Sequence, residues 1–174
     1  MKNIIIIALL VTTNLYSQKY ADSLYNFKTE NGNIFWQKVF ETTKEDSKKQ
    51  FKDKLLLELI SKNLNETKQN ITFNVENESI NFKKYGGKSL FTAFYIQQTN
   101  SHLVKIDFKN YKYRVTITKL TSATMNTGVR MNLEEYVVRK NKIKTAKTHK
   151  KGLKIYDQHF TDKFTIKELK KEDW

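Results

Sequence analysis

Between Val104 and Thr118 apolar and polar side chains alternate along the chain, and no other feature constrains its fold as tightly. Val104, Ile106 and Phe108 fall on one side of an extended backbone, and Lys105 and Asp107 fall on the other. After Lys109-Asn110 the alternation resumes, with Tyr111, Tyr113, Val115 and Ile117 against Lys112, Arg114, Thr116 and Thr118. Each strand has one apolar face and one wet face. So short a connection makes the two strands antiparallel, because a parallel return needs a crossover of about a dozen residues or more. The opposed charges Asp107, Lys105 and Arg114 are placed to form cross-strand pairs on the wet face.

The rest of the chain is read around this pair. Gln18 to Asn31 carries Tyr20, Leu24, Tyr25 and Phe27, either as a first strand or as an ordered lead-in, and Asn31-Gly32-Asn33 marks a turn. Ile34-Phe35-Trp36-Gln37-Lys38-Val39-Phe40 is β-branched and aromatic, as a strand requires. From Glu45 to Leu64, Phe51, Leu55 and Leu59 with Leu56, Ile60 and Leu64 form a helical stripe, preceded by a capping-box pair at Thr42 and Glu45. Period two returns in Ile71, Phe73 and Val75 and again in Ile80 and Phe82, which predicts a hairpin across Glu76-Asn77-Glu78. After the turn residues Tyr85-Gly86-Gly87-Lys88, Leu90 to Ile96 reads as a further strand. A polar loop is expected over residues 121–132, then one or two helical turns over Leu133 to Val138. Leu153, Tyr156, Phe160 and Phe164 have the spacing of an amphipathic helix laid on the sheet, although Phe164-Thr165-Ile166 also suits a short strand. The expected class is α+β: an antiparallel sheet with one long helix after the first strand and a C-terminal helix packed on it.

Met1-Lys2-Asn3, the run Ile4 to Val11 and the polar Thr12 to Ser17 have the order of a secretory signal. Eight apolar residues span about 12 Å as a helix, well short of a ~30 Å hydrocarbon core. Residues 1–17 are therefore expected to be removed after Ser17, leaving a lead-in over 18–32 and one α+β domain over 33–174 with a basic segment at 139–154. The expected location is periplasmic or extracellular, with no transmembrane span once the signal is gone. The chain has no Cys, so it has no disulfides and no thiolate chemistry, and an exported protein of this size buries enough surface to do without them. The sequons at Asn65, Asn70 and Asn77 are read as chance matches in an Asn-rich chain.

The strand pair 104–118 resembles a family of exported bacterial proteins of unknown function with a TBP-like fold. Trp36-Gln37-Lys38-Val39-Phe40 is similar to that family's Trp-containing first strand, and Asp173-Trp174 matches its acidic-Trp ending. The likeness runs from Ile34 onward. It implies a curved, helix-grip-like sheet with a helix in its concavity, and it implies no activity. The chain departs from the family at Lys109-Asn110-Tyr111, where Tyr111 takes the place of the glycine in a Lys-Asp-Gly turn. The fold's name carries no expectation of DNA binding.

No catalytic, cofactor or metal constellation is legible. His102, His149 and His159 are the only imidazoles, and a metal site would need Asp157 or Asp162 beside the last two. His102 reads as a solvated edge residue and His159 as a partly exposed flank. Gly86-Gly87-Lys88-Ser89 lacks the spacing of a phosphate-binding loop, and no Gly-x-Ser-x-Gly occurs. Glu134-Glu135 and Glu76 with Glu78 read as solvated pairs.

The basic segment rises above this background: Arg139, Lys140, Lys142, Lys144, Lys147, Lys150, Lys151 and Lys154, with no acid among them. It is either a solvated loop of a lysine-rich protein or a contact for an anionic surface, and the scarcity of Arg weighs against nucleic acid. The strand aromatics are either core or the lining of a pocket between sheet and helix. The leading expectation is an exported, non-enzymatic module using its sheet face for an apolar ligand or an envelope protein. The alternatives are attachment to anionic lipid or polysaccharide through residues 139–154, and an unrecognised hydrolase.

Overall fold

A computed structural model describes residues 20–42, 48–49, 51–52, 62–124 and 129–166. The strands are β1 (Tyr20–Ala21), β2 (Ser23–Leu24), β3 (Phe27–Glu30), β4 (Asn33–Glu41), β5 (Lys62–Glu66), β6 (Asn70–Glu78), β7 (Asn100–Lys109), β8 (Lys112–Ala123), β9 (Arg130–Asn132), β10 (Val138–Arg139) and β11 (Lys142–Lys144). The helices are α1 (Phe94–Gln97), α2 (Leu133–Val137) and α3 (Lys147–Phe164), with a 3-10 turn at Ser89–Phe91. The main sheet runs β2-β3-β4-β8-β7-β6-β5, with β9 paired to β8, and β1-β11-β10 form a second small sheet. All the pairings are antiparallel.

The alternation of 104–118 becomes the centre of the sheet, where Ile106 pairs with Val115 and Val104 with Ile117, all four buried. Tyr111 takes up the left-handed backbone at φ 56 that the family's glycine would supply, and the tight turn between β7 and β8 survives. On the other side of β8, Trp36 pairs with Ile117 and Phe40 with Tyr113. Facing them, α3 sends Leu153, Tyr156, Phe160 and Phe164 toward the sheet, each fully buried. Phe160 meets Trp36 edge-on at 5.5 Å, and Phe164 stacks on Phe51 at 6.2 Å. The fold is thus α+β with the C-terminal helix packed on an antiparallel sheet, and aromatic side chains fill the space that a ligand pocket would need.

Several expectations require correction. Ile80 and Phe82 do not return as the second arm of a hairpin: β6 pairs with β5 and β7, while residues 79–88 form turns. Leu90 to Ile96 is not a strand but the 3-10 turn followed by α1, because Gln97 Nε2 caps the segment by donating to the carbonyls of Ser89 and Thr92. The expected loop over 121–132 contains the end of β8 and all of β9. Helix α3 begins at Lys147 rather than near Leu153. Most of the helix expected over 45–64 lies outside the described residues; Lys48, Lys49, Phe51 and Lys52 are helical, whereas its end at Lys62–Leu64 belongs to β5. The signal over 1–17 and the ending Asp173-Trp174 also lie outside the described residues.

Candidate functional site

The basic segment is not one loop. Arg139, Lys140 and Lys142 sit on the hairpin of β10 and β11, with Lys140 at φ 54 in its turn and Lys142 3.3 Å from Asp22. Lys144 is committed to the fold, donating to the Tyr136 carbonyl at 2.7 Å. Lys147, Lys150, Lys151 and Lys154 occupy the first turns of α3. Their three- and four-residue spacing puts them on one side of the helix, opposite the buried Leu153 and Tyr156. Lys147, Lys150 and Lys154 are exposed and Lys151 is half-buried. None of the four has a carboxylate partner among the described residues.

An exposed apolar pair lies on the turn that leads into α1. Leu90 is 90% and Phe91 69% exposed, the two highest values among the large apolar side chains of the described residues. Their turn precedes α1, whose Tyr95 stacks on His149 of α3 at 6.3 Å. Approach of α1 to α3 requires Gly152, since a Cβ there would lie 2.5 Å from Tyr95 Oη.

The structure also assembles a polar cluster from residues far apart in the sequence. His102 is not a solvated edge residue: it is 3% exposed, and neither ring nitrogen has a hydrogen-bond partner. Glu78 is not solvated either. Its carboxylate lies 3.2 Å from His159 Nε2 and 3.8 Å from His102 Nε2, and it binds the Lys163 ammonium. Burial works to raise the Glu78 pKa, but the close approach of the His159 imidazole and the charge of Lys163 overcome it and hold the group down at about 2. For His102 burial dominates and lowers its pKa to about 3, so the ring is neutral across the physiological range. The cluster ties the end of β6 and the start of β7 to the last turns of α3.

The other carboxylates singled out have structural partners. Asp157 Oδ1 accepts from Trp36 Nε1 at 2.8 Å and from Asn26 Nδ2 at 2.6 Å. Asp162 pairs with Lys84 at 2.8 Å. Glu134 accepts from the Ile34 amide, and Glu135 closes a capping box on Asn132. Neither aspartate joins His149 and His159 in a ligand set, and among the described residues no group of three His, Asp or Glu is placed to hold a metal ion. Asp107 pairs with Lys105 and Arg114 on the wet face, as expected. Open grooves of about 390 Å³ beside Tyr85, Asp157 and Asp162 and of about 550 Å³ beside Glu30, Glu134 and Glu135 mark the surface of the described residues.

Comparison with known proteins finds no matching family model and no matching curated protein. Among solved structures, a TBP-like protein from Parabacteroides distasonis ATCC 8503 superposes with a TM-score of 0.51 at 12% identity, over 78% of this chain and 92% of that one. A DUF4468 family protein from Bacteroides ovatus ATCC 8483 gives 0.48 at 13% identity, over 79% and 82%. The arrangement of α3 against the antiparallel sheet is a TBP-like fold.

Proposed function

We propose that the protein is an exported, non-enzymatic module that attaches to an anionic surface of the cell envelope through Lys147, Lys150, Lys151 and Lys154 of α3. The observation that carries this reading is their arrangement: four lysines on one side of a helix, without carboxylate partners among the described residues, on a chain of net charge +14. Near a charged membrane each contributes roughly 1 kcal/mol, so together they change the binding constant by about a thousandfold at low salt. Support for a non-catalytic role comes from the carboxylates, since Glu78, Glu134, Glu135 and Asp157 are each engaged in holding the fold. The sheet face favoured by sequence for an apolar ligand is covered by α3.

The test is retention of residues 18–174 on anionic vesicles and on an anionic polysaccharide matrix, at low salt and at ~1 M salt, where the Debye length shrinks to about 3 Å. The described fold starts at Tyr20, so this chain contains all of it. Retention at low salt that is lost both at high salt and on changing the four lysines to Gln is the expected result. Retention indifferent to both changes would refute the reading.

A further inference from the structure

We infer that Leu90 and Phe91 form a membrane-inserting anchor, a reading that rests on the anionic-surface role of α3 and narrows that surface to a lipid bilayer. Single exposed apolar residues are ordinary, but two large ones side by side at 90% and 69% exposure are not. They do not protrude from loose chain. The Phe91 amide donates to the Lys88 carbonyl at 2.9 Å and the Lys88 amide to Thr92 Oγ1 at 3.0 Å, while Gln97 braces the turn from within. At its base Gly87 packs so closely that a Cβ would lie 2.7 Å from the Phe82 carbonyl oxygen. The pair is therefore presented with little conformational entropy left to lose on binding.

The occupant follows from charge and size. No acidic residue occurs from Ser79 to Ile106, and Lys83 and Lys88 are exposed on the approach to the turn. Helix α3, which carries its lysines on the side away from this contact, is the neighbouring element and meets α1 through Tyr95 and His149. Apolar side chains flanked by ammonium groups suit an anionic bilayer, whose headgroups meet the lysines while Leu90 and Phe91 enter the acyl boundary. Two side chains fall far short of the roughly 800 Å² per partner that a stable protein interface needs.

The experiment uses residues 18–174 carrying Phe91→Trp, with vesicles of phosphatidylcholine alone or mixed with phosphatidylglycerol, and bromine-labelled acyl chains as quencher. The native tryptophans are Trp36, which is fully buried, and Trp174, and the unsubstituted chain supplies the background emission of both. The expected result is a blue shift and quenching of the introduced indole on anionic vesicles, with Leu90→Ser/Phe91→Ser weakening binding about tenfold or more, because burying either side chain is worth at least a factor of ten. The double variant removes only exposed groups, and an unchanged melting temperature verifies its fold. If it binds anionic vesicles as tightly as the parent and the introduced indole is not quenched, insertion is overturned while attachment by the lysines stands. Retention on anionic polysaccharide with none on vesicles likewise overturns insertion alone, and failure on both overturns both readings.

Discussion

Substitution of Gly152 by Ala gives the sharpest test of how α1 and α3 pack. In an exposed helix interior this change stabilises by about 1 kcal/mol, since Ala is the best helix former and Gly one of the worst. Here the added methyl would lie 2.5 Å from Tyr95 Oη and 3.0 Å from Cζ, closer than carbon atoms approach without something shifting. Tyr95 cannot swing away freely, because it is 2% exposed and stacks on Tyr156 at 6.2 Å and on His149 at 6.3 Å. Overpacking of a core costs about 1–3 kcal/mol, so Gly152→Ala is expected to lower stability by roughly 1 kcal/mol net of its propensity gain. The buried Tyr95 hydroxyl has no hydrogen-bond partner, so Tyr95→Phe should cost little and removes the atom in closest conflict. In the Tyr95→Phe background the Ala substitution should then recover at least ~0.5 kcal/mol, a coupling measurable by a double-mutant cycle in urea with constant m-values. A Gly152→Ala protein more stable than the parent by ~1 kcal/mol, or a coupling of zero, would refute the close packing.

Three further outcomes are expected. His102 is held neutral at about 3 against an ordinary 6.5, so the unfolded chain takes up a proton that the folded one refuses. Stability should therefore fall as pH drops from 6.5 towards 3, by up to about 1.4 kcal/mol per pH unit, with Glu78 adding a loss of the same sign as pH falls from about 4.5 towards 2. His102→Leu should flatten the slope between pH 6 and 5 in urea titrations. Tyr111→Gly should raise the urea midpoint, because the left-handed backbone costs a side-chain-bearing residue roughly 1–2 kcal/mol and glycine's extra entropy returns only part of that. Asp157→Ala strands the buried Trp36 indole N–H and should cost about 1–3 kcal/mol by chemical denaturation, with Asp157→Asn, which keeps an acceptor, losing less.

Where the chain has a clean period, the sequence was a sound guide. Strands β6, β7 and β8 lie where alternation places them, β4 lies where the β-branched and aromatic run places it, and the aromatic spacing of α3 located its buried stripe. The departure over 80–96 has a physical origin: Leu90 to Ile96 is a mostly apolar run too short to distinguish strand from helix, and Leu90 and Phe91, two of its large apolar members, are left in water. For the polar cluster, half the signal was present. His102 shares the parity of Val104 and Ile106 and therefore had to face the core. Glu78 was hidden because β6 slips register between Val75 and Glu78, with Asn77 at φ 53, and parity carried forward from Phe73 points Glu78 outward. His159 and Lys163 share a helix face, but nothing local says that a carboxylate 81 residues before His159 lies beneath them.

The chemistry of the basic face sets its selectivity. The chain carries 29 Lys and only 3 Arg, and of the arginines Arg114 is bound to Asp107 and Arg130 to Thr99, Thr121 and Asn77. The basic face of α3 is thus built from ammonium groups on flexible stems. Such groups act as hydrated point charges and lack the planar fork with which guanidinium recognises phosphate in two places. Attachment through α3 should therefore follow charge density and not the kind of anion: at equal charge density, phosphate-, sulfate- and carboxylate-bearing matrices should retain residues 18–174 to within about threefold, an allowance well below the tenfold that 1.4 kcal/mol represents. Changing the four α3 lysines to Arg should raise retention on the phosphate matrix above the others. If the parent chain itself prefers phosphate by tenfold or more, a shaped anion site exists on this surface and the lysine face is not a simple electrostatic patch.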